Sequence, residues 1–146
     1  MLQHLKIFLR KPLPEKRLLL SVAMNLTFIR VFNAVLPFRM LSSMLQSDLI
    51  ESQDLKNQHR EKAEIITGYI ENVSKVLPWT SSCLVQAAAA KRMLNQRNIP
   101  SSISFGVKKN GGDIQQLNAH AWLIVYGETL LGGKSADQFT PVSSLS

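Results

Sequence analysis

The sequence predicts an α+β fold in which helices come first and an antiparallel sheet follows. Two observations support this: the first half has apolar residues at helical spacing, and the residues after about 100 alternate as strands do. With 146 residues, 45% of them hydrophobic, the chain is about one domain long and can bury a core. We divide it into a helical N-terminal lobe, residues 1–74, and a core that carries the chemistry, residues 75–146.

The N-terminal lobe is predicted to contain two long helical segments. The first runs from Glu15 to about Gln46 and is interrupted at Pro37, because proline cannot continue a helix. It is apolar on most sides, as in a helix that is buried or covered by a partner. The second runs from about Asp48 to Val76 and is amphipathic, with Glu71 among the charged residues outside its apolar stripe.

The core is predicted to contain one helix and three strands. A loop, "LPWTSS", offers two helix caps and is followed by a helix from Cys83 to about Gln96. The run "SSISFGV" alternates as a strand, and "KKNGGD" is typical of a turn. The runs "LNAHAWLIVYG" and "ETLLGG" are predicted to form a hairpin that turns at Gly127 and Glu128.

The basic charge is concentrated near the N-terminus. Residues 1–41 hold seven lysines and arginines and one acid, Glu15, so this segment carries +6 of the chain's net charge of +7. Such a segment suits nucleic acid, an anionic membrane or an acidic partner, and it equally suits solvated flanks around a core helix. A single cysteine cannot form an internal disulfide and charges break every apolar run at the N-terminus, so we expect a cytoplasmic protein.

Cys83 and His120 are the candidates for catalysis. Cys83 begins a predicted helix, whose positive end favours the thiolate, and a thiolate nucleophile is usually paired with a histidine base. Of the three histidines, His4 and His59 lie in charged helical surroundings, whereas His120 opens an apolar strand that can pack on the cysteine helix. The alternative is that Cys83 is a small core residue.

Two other kinds of site find little support in the sequence. The run "GGKS" resembles the end of a phosphate-binding loop, but that motif requires glycine where Glu128 stands. One cysteine and three scattered histidines give no metal-ligand spacing, so we expect no metal and no cofactor.

The run from "SSCLVQAAAAKRMLNQRNIPSSISFGV" to "AHAW" resembles the transglutaminase-like cysteine protease superfamily. It is most similar to the lasso-peptide maturation proteases, whose pattern a set of ten residues matches: Cys83, Leu84, Leu94, Ile99, Gly106, Val107, Ala119, His120, Ala121 and Trp122. The resemblance spans roughly residues 75–142. It implies a transglutaminase/papain-like core in which Cys83 is the nucleophile and His120 is the base. Trp122 either shields this pair or belongs to the core.

The third catalytic residue departs from the family pattern. The resemblance implies an acid about a dozen residues after His120, but Gly132 stands there and Asp137 is the nearest acid beyond it. With a turn at Gly127 and Glu128, His120 lies opposite Ser135, and Asp137 is its diagonal neighbour. We therefore predict Asp137 as the residue that orients His120, with a backbone carbonyl or the Gln138 amide as alternatives.

The resemblance implies a cysteine peptidase that removes the leader from a ribosomally made lasso-peptide precursor. It also implies two protein partners, a separate leader-recognition protein and an ATP-dependent macrocyclase, and no nucleic acid. The basic N-terminal segment makes peripheral membrane association a further expectation. The alternative is a catalytically silent adaptor on the same fold, which recruits a partner or a membrane surface.

Overall fold

A computed structural model describes residues 12–109 and 117–146 and confirms the α+β fold with a helical N-terminal region. Four α-helices come first: α1 Leu13–Val35, α2 Phe38–Leu45, α3 Lys56–Val76 and α4 Cys83–Asn95. The strands are β1 Ser102–Lys109, β2 Leu117–Val125, β3 Glu128–Leu131 and β4 Thr140–Leu145. They form one antiparallel sheet in the order β3-β2-β1-β4. Part of the predicted "KKNGGD" turn lies outside the described residues.

The helices follow the sequence signals closely, with one exception. The first segment breaks at Pro37 into α1 and α2, as predicted, and α4 begins at Cys83. The predicted start of α3 near Asp48 is wrong, since a 3₁₀ turn at Gln53–Leu55 comes immediately before the helix at Lys56. The chain before it is extended, and the Ser47 N–H donates to the Ser146 carbonyl at the other end of the chain.

One buried core draws on both halves of the sequence. Helix α4 lies at its centre, because its alanines at positions 87–90 are fully buried and let other elements approach closely. Val22, Leu26 and Ile29 of α1 pack into this core, as do Ala121 and Leu123 of β2. The packing holds the start of α4 against the sheet.

The β2–β3 hairpin turns one residue earlier than predicted. Its turn is Tyr126–Gly127, and Val125 pairs with Glu128. Both turn residues have positive φ, 49° at Tyr126 and 78° at Gly127. Tyr126 tolerates this conformation because its hydroxyl donates to the Ser52 carbonyl (3.1 Å) and accepts from His59 Nδ1 (2.9 Å). His59 therefore has a structural contact at this turn.

Helix α1 is long enough and apolar enough to cross a membrane, by length and composition alone. Its mean hydropathy reaches 1.7 over a window of which 22% is buried. Length and composition alone are weak evidence, because core helices pass the same test. Here one side of α1 forms part of the core.

Candidate active site

Cys83 is the first residue of α4 and lies half-buried at the edge of the core. Ser82 caps this helix, because its hydroxyl accepts a hydrogen bond from the Val85 N–H (3.3 Å). The N–H groups of the first turn have no partner within the helix and concentrate positive charge beside the thiol. Cys83 therefore stands where a helix presents unpaired N–H donors.

The loop before Cys83 is tied to two helices. Arg30 of α1 donates from Nη1 to the Thr80 carbonyl (2.7 Å), and its guanidinium lies 5.9 Å from the centre of the Trp79 ring. Gln86 of α4 donates from Nε2 to the Ser81 carbonyl (3.0 Å). These contacts fix the direction from which the chain enters α4 and therefore the position of Cys83.

His120 is held by the backbone at the end of β3. Its Nε2 lies 2.8 Å from the Gly132 carbonyl oxygen. A carbonyl oxygen only accepts hydrogen bonds, so in the neutral ring Nε2 carries the proton and Nδ1 has a free lone pair. Nδ1 is therefore the atom that can take a proton from a thiol.

Two aromatic rings fix the plane of the His120 imidazole. The ring centre of Phe139 lies 5.0 Å from that of the imidazole and the ring centre of Trp122 lies 6.0 Å from it, and the two rings are inclined to the imidazole by 28° and 29°. Gly106, the partner of His120 across β1 and β2, makes room for them. A Cβ at Gly106 would lie 2.8 Å from the Trp122 ring and 2.9 Å from Phe139 Cβ. Trp122 is thus both a buried residue and a neighbour of His120.

Cys83 and His120 line the same cavity. The cavity has a volume of about 210 Å³, and its walls comprise Glu71, Cys83, Gln86, His120, Ala121, Leu131 and Gly132. A second cavity of about 370 Å³ shares three of these residues, Glu71, His120 and Gly132. It extends along the end of β3 and includes Thr129 and Lys134. A thiol and a histidine therefore line one cavity, and a second cavity adjoins it at His120.

Glu71 and Gln86 are site residues that the sequence did not indicate. The prediction that Glu71 lies on the outer side of its helix is wrong, because it is half-buried and lines both cavities. Among the described residues, no side chain pairs with its carboxylate. Gln86 lies one turn after Cys83 on α4, and this i to i+3 spacing was its only sequence signal.

The argument that placed Asp137 beside His120 is wrong. It assumed that β3 continues past Ser135, whereas β3 ends at Leu131 and residues 133–138 form a 3₁₀ helix. Gly132 begins this change with a φ of 77°, and Asp137 is exposed on the helix that follows. A backbone carbonyl, one of the predicted alternatives, holds the ring instead.

Within residues 12–109 and 117–146, no group of three or more His, Cys, Asp or Glu side chains could hold a metal ion.

The family described as the transglutaminase-like superfamily matches residues 28–144, which include Cys83 and His120. The chain belongs to the transglutaminase-like superfamily. This superfamily includes cysteine peptidases, so a cysteine and a histidine on one cavity fit its chemistry. The match begins inside α1, so the superfamily domain includes much of the helical region together with the sheet. No curated protein and no solved structure matches the chain.

Proposed function

We propose that this member of the transglutaminase-like superfamily is a cysteine peptidase that removes the leader from a lasso-peptide precursor. The observation that carries the proposal is the shared cavity. Cys83 at a helix start and His120, with its Nε2 proton held by the Gly132 carbonyl, line the same walls. A thiol so placed next to a base with an open nitrogen is equipped for acyl transfer.

In the first step, His120 Nδ1 takes the thiol proton and Cys83 Sγ attacks the carbonyl carbon of the scissile peptide bond. The resulting imidazolium keeps its second N–H on the Gly132 carbonyl, which stabilises the ring in its reactive orientation. The C–N bond then breaks, His120 gives its Nδ1 proton to the leaving amine, and the leader remains on sulfur as a thioester.

Two donors are placed to stabilise the negative oxygen of the tetrahedral intermediate. The Cys83 N–H belongs to the first helical turn and has no partner within the helix. The Gln86 amide has two N–H groups, of which the Ser81 carbonyl takes one and the cavity can take the other. Fixed donors of this kind stabilise the intermediate without rearrangement.

In the second step, His120 removes a proton from water, whose oxygen attacks the thioester carbonyl. The carbon–sulfur bond breaks, the thiolate returns, and the leader leaves as a carboxylic acid. The cavity beside β3 gives the peptide on either side of the scissile bond a place to lie.

The specificity for a lasso precursor rests on the ten-residue resemblance between Cys83 and Trp122. One of these positions has a physical reason to be glycine, because a side chain at Gly106 would collide with the aromatic rings that lie beside His120. In this proposal a separate leader-recognition protein delivers the precursor, and an ATP-dependent macrocyclase uses the released core peptide.

The decisive experiment follows leader cleavage by mass spectrometry with the purified chain, a lasso precursor and its leader-recognition protein. We expect Cys83→Ala to abolish cleavage and to leave the melting temperature nearly unchanged, because alanine suits the start of a helix. Ser144→Ala, on the exposed strand β4, is the matched control and should cleave at the wild-type rate. A Cys83→Ala rate of a tenth of wild type or more would contradict covalent catalysis.

Omitting the leader-recognition protein tests the partner assignment separately. We expect slow cleavage of free precursor and a large acceleration when the partner is added. Equal rates with and without it would mean that the chain recognises the leader by itself.

The alternative function is a silent adaptor, which the lack of an acid at the family's position after His120 would favour. The Gly132 carbonyl supplies a hydrogen-bond acceptor for His120 and removes that reason. Alkylation by iodoacetamide distinguishes the two functions without any substrate. The peptidase should react rapidly at Cys83 near neutral pH and slow markedly in His120→Gln, whereas the thiol of an adaptor should be insensitive to this substitution.

A further inference from the structure

The outer face of α1 is apolar and exposed. We use this name for a stripe of five residues: Leu20, Met24, Phe28, Val31 and Val35. At 100° per residue they fall within about a quarter of the helix circumference. Met24 is 63% exposed and Val35 is 73% exposed. A continuous apolar stripe of this length is a binding surface more often than an accident of composition.

The opposite side of α1 argues against a role for this helix as a membrane span. Val22, Leu26 and Ile29 are fully buried and pack with α4 in the core. Inserting α1 across a bilayer would expose that core and leave α4 uncovered. The helix can therefore present only its outer face to a membrane, with its axis parallel to the surface.

Two arginines carry positive charge to this face. Arg17 lies on the same side of α1 as Met24, and Arg92 reaches from α4 with its guanidinium 4.6 Å from the centre of the Phe28 ring. Arg92 also donates to Asn25 Oδ1, which holds it in place. Both arginines line a cavity of about 310 Å³ whose other walls are apolar or neutral.

The surrounding sequence contains no opposing charge. There is no Asp or Glu from Lys16 to Ser47, a range that contains nearly all of α1 and the whole of α2. Phe38 and Met40 of α2 add exposed apolar surface next to the basic residue Arg39. The surface thus combines exposed apolar side chains with positively charged ones.

We propose that the outer face of α1 docks on an anionic membrane, with a lipid phosphate between Arg17 and Arg92. The apolar stripe would then lie in the boundary between headgroups and acyl chains. A second copy of the chain fits poorly, because a symmetric contact would bring the same arginines together without acids to pair them. An acidic protein satisfies the charge, but a bilayer also provides an apolar layer directly beside its phosphates, which matches a row of exposed apolar side chains next to two arginines.

Partition into lipid vesicles tests the proposal with the full chain. Vesicles of phosphatidylcholine alone are compared with vesicles that also contain phosphatidylglycerol, at low and high salt. We expect strong binding only to the anionic vesicles, weakened by salt. Arg17→Gln should lower the partition coefficient about fivefold, and Met24→Gln should lower it about tenfold.

Two matched controls separate docking from general surface chemistry. Lys62→Gln removes an exposed charge on α3, and Val142→Gln removes an apolar side chain of similar exposure, 59%, on β4. Both should bind as wild type does. A fluorophore on Met24→Cys, in a Cys83→Ala background, should shift to the blue on anionic vesicles, and one on Val142→Cys should not.

Equal binding to neutral and anionic vesicles, or no binding to either, would overturn the proposal. So would loss of binding in Val142→Gln equal to that in Met24→Gln. Sedimentation of the chain without lipid tests whether the outer face of α1 binds a second copy of the chain instead. A stable dimer that Met24→Gln dissociates would assign the face to a second copy and contradict the membrane.

Discussion

Lys91 in the middle of α4 should make the stability of the protein depend on pH. It is fully buried, and its Nζ donates to the Ser101 carbonyl (2.6 Å). Burial disfavours the charged ammonium and lowers the pKa of Lys91 from 10.5 to about 8. Between these values the unfolded chain keeps the proton and the folded chain has lost it. The free energy of unfolding therefore rises with pH in this window and is lowest below it.

The size of the effect follows from the two pKa values. A difference of about 2.5 corresponds to about 3 kcal/mol in all, of which about 2.5 kcal/mol falls between about pH 7 and about pH 10. Lys91→Met keeps the length of the side chain and removes the titrating group. It should abolish this gain. At neutral pH it should be at least as stable as wild type, because it removes a desolvated charge.

Urea unfolding at both pH values measures the prediction. Other groups also titrate at high pH, so the quantity to compare is the difference between wild type and variant at each pH. Lys62→Met, an exposed lysine on α3, is the control and should parallel wild type. If Lys91→Met also parallels wild type to within about 0.5 kcal/mol, burial does not lower the pKa of Lys91 and the reasoning is refuted.

Three further predictions concern the cavity and its surroundings. Gly132→Ala should lower the free energy of unfolding by about 1–3 kcal/mol, as measured by melting. It should also lower the rate of leader cleavage, measured by mass spectrometry, by more than Gly127→Ala does. Both glycines have positive φ, but a Cβ at Gly132 would lie 2.8 Å from the Ala121 carbonyl oxygen, whereas a Cβ at Gly127 would have nothing within 4 Å. Equal effects of the two substitutions would mean that crowding at Gly132 is unimportant. Gln86→Leu should lower kcat by about 10²- to 10³-fold with little change in KM, and an unchanged kcat would remove Gln86 from the oxyanion site. Asp137→Asn should keep turnover within about threefold of wild type, as for an exposed residue, and a loss of orders of magnitude would return the orienting role to Asp137.

The helices and the central strands could be predicted because their signals are local. Pro37 breaks the first helical segment, serine caps the helix that starts at Cys83, and apolar residues alternate along β1. Strand β4 could not be found in this way. It is exposed along most of its length, contains Pro141 and pairs through only one edge, so it shows no apolar alternation.

Cys83 and His120 could be selected as candidates from the sequence, because a thiol at a helix start has a restricted choice of bases, and the structure places both on one cavity. The rest of the site depends on tertiary geometry. Glu71 reaches the cavity because α3 packs near the end of β3. The sequence of a helix does not show which neighbouring element will cross it, so it could not show that Glu71 faces a cavity rather than solvent. The 3₁₀ helix after Gly132 likewise has no period that distinguishes it from a loop.

The Gly132 carbonyl gives the histidine a partner that no substitution can delete. A side-chain acid can be lost by one base change, and such a loss would leave a visible gap in any comparison of sequences. A main-chain oxygen is present whatever residue is encoded, and here it faces His120 where Gly132 turns the chain with a φ of 77°. A site built in this way can look incomplete residue by residue and still give its histidine a hydrogen-bond acceptor.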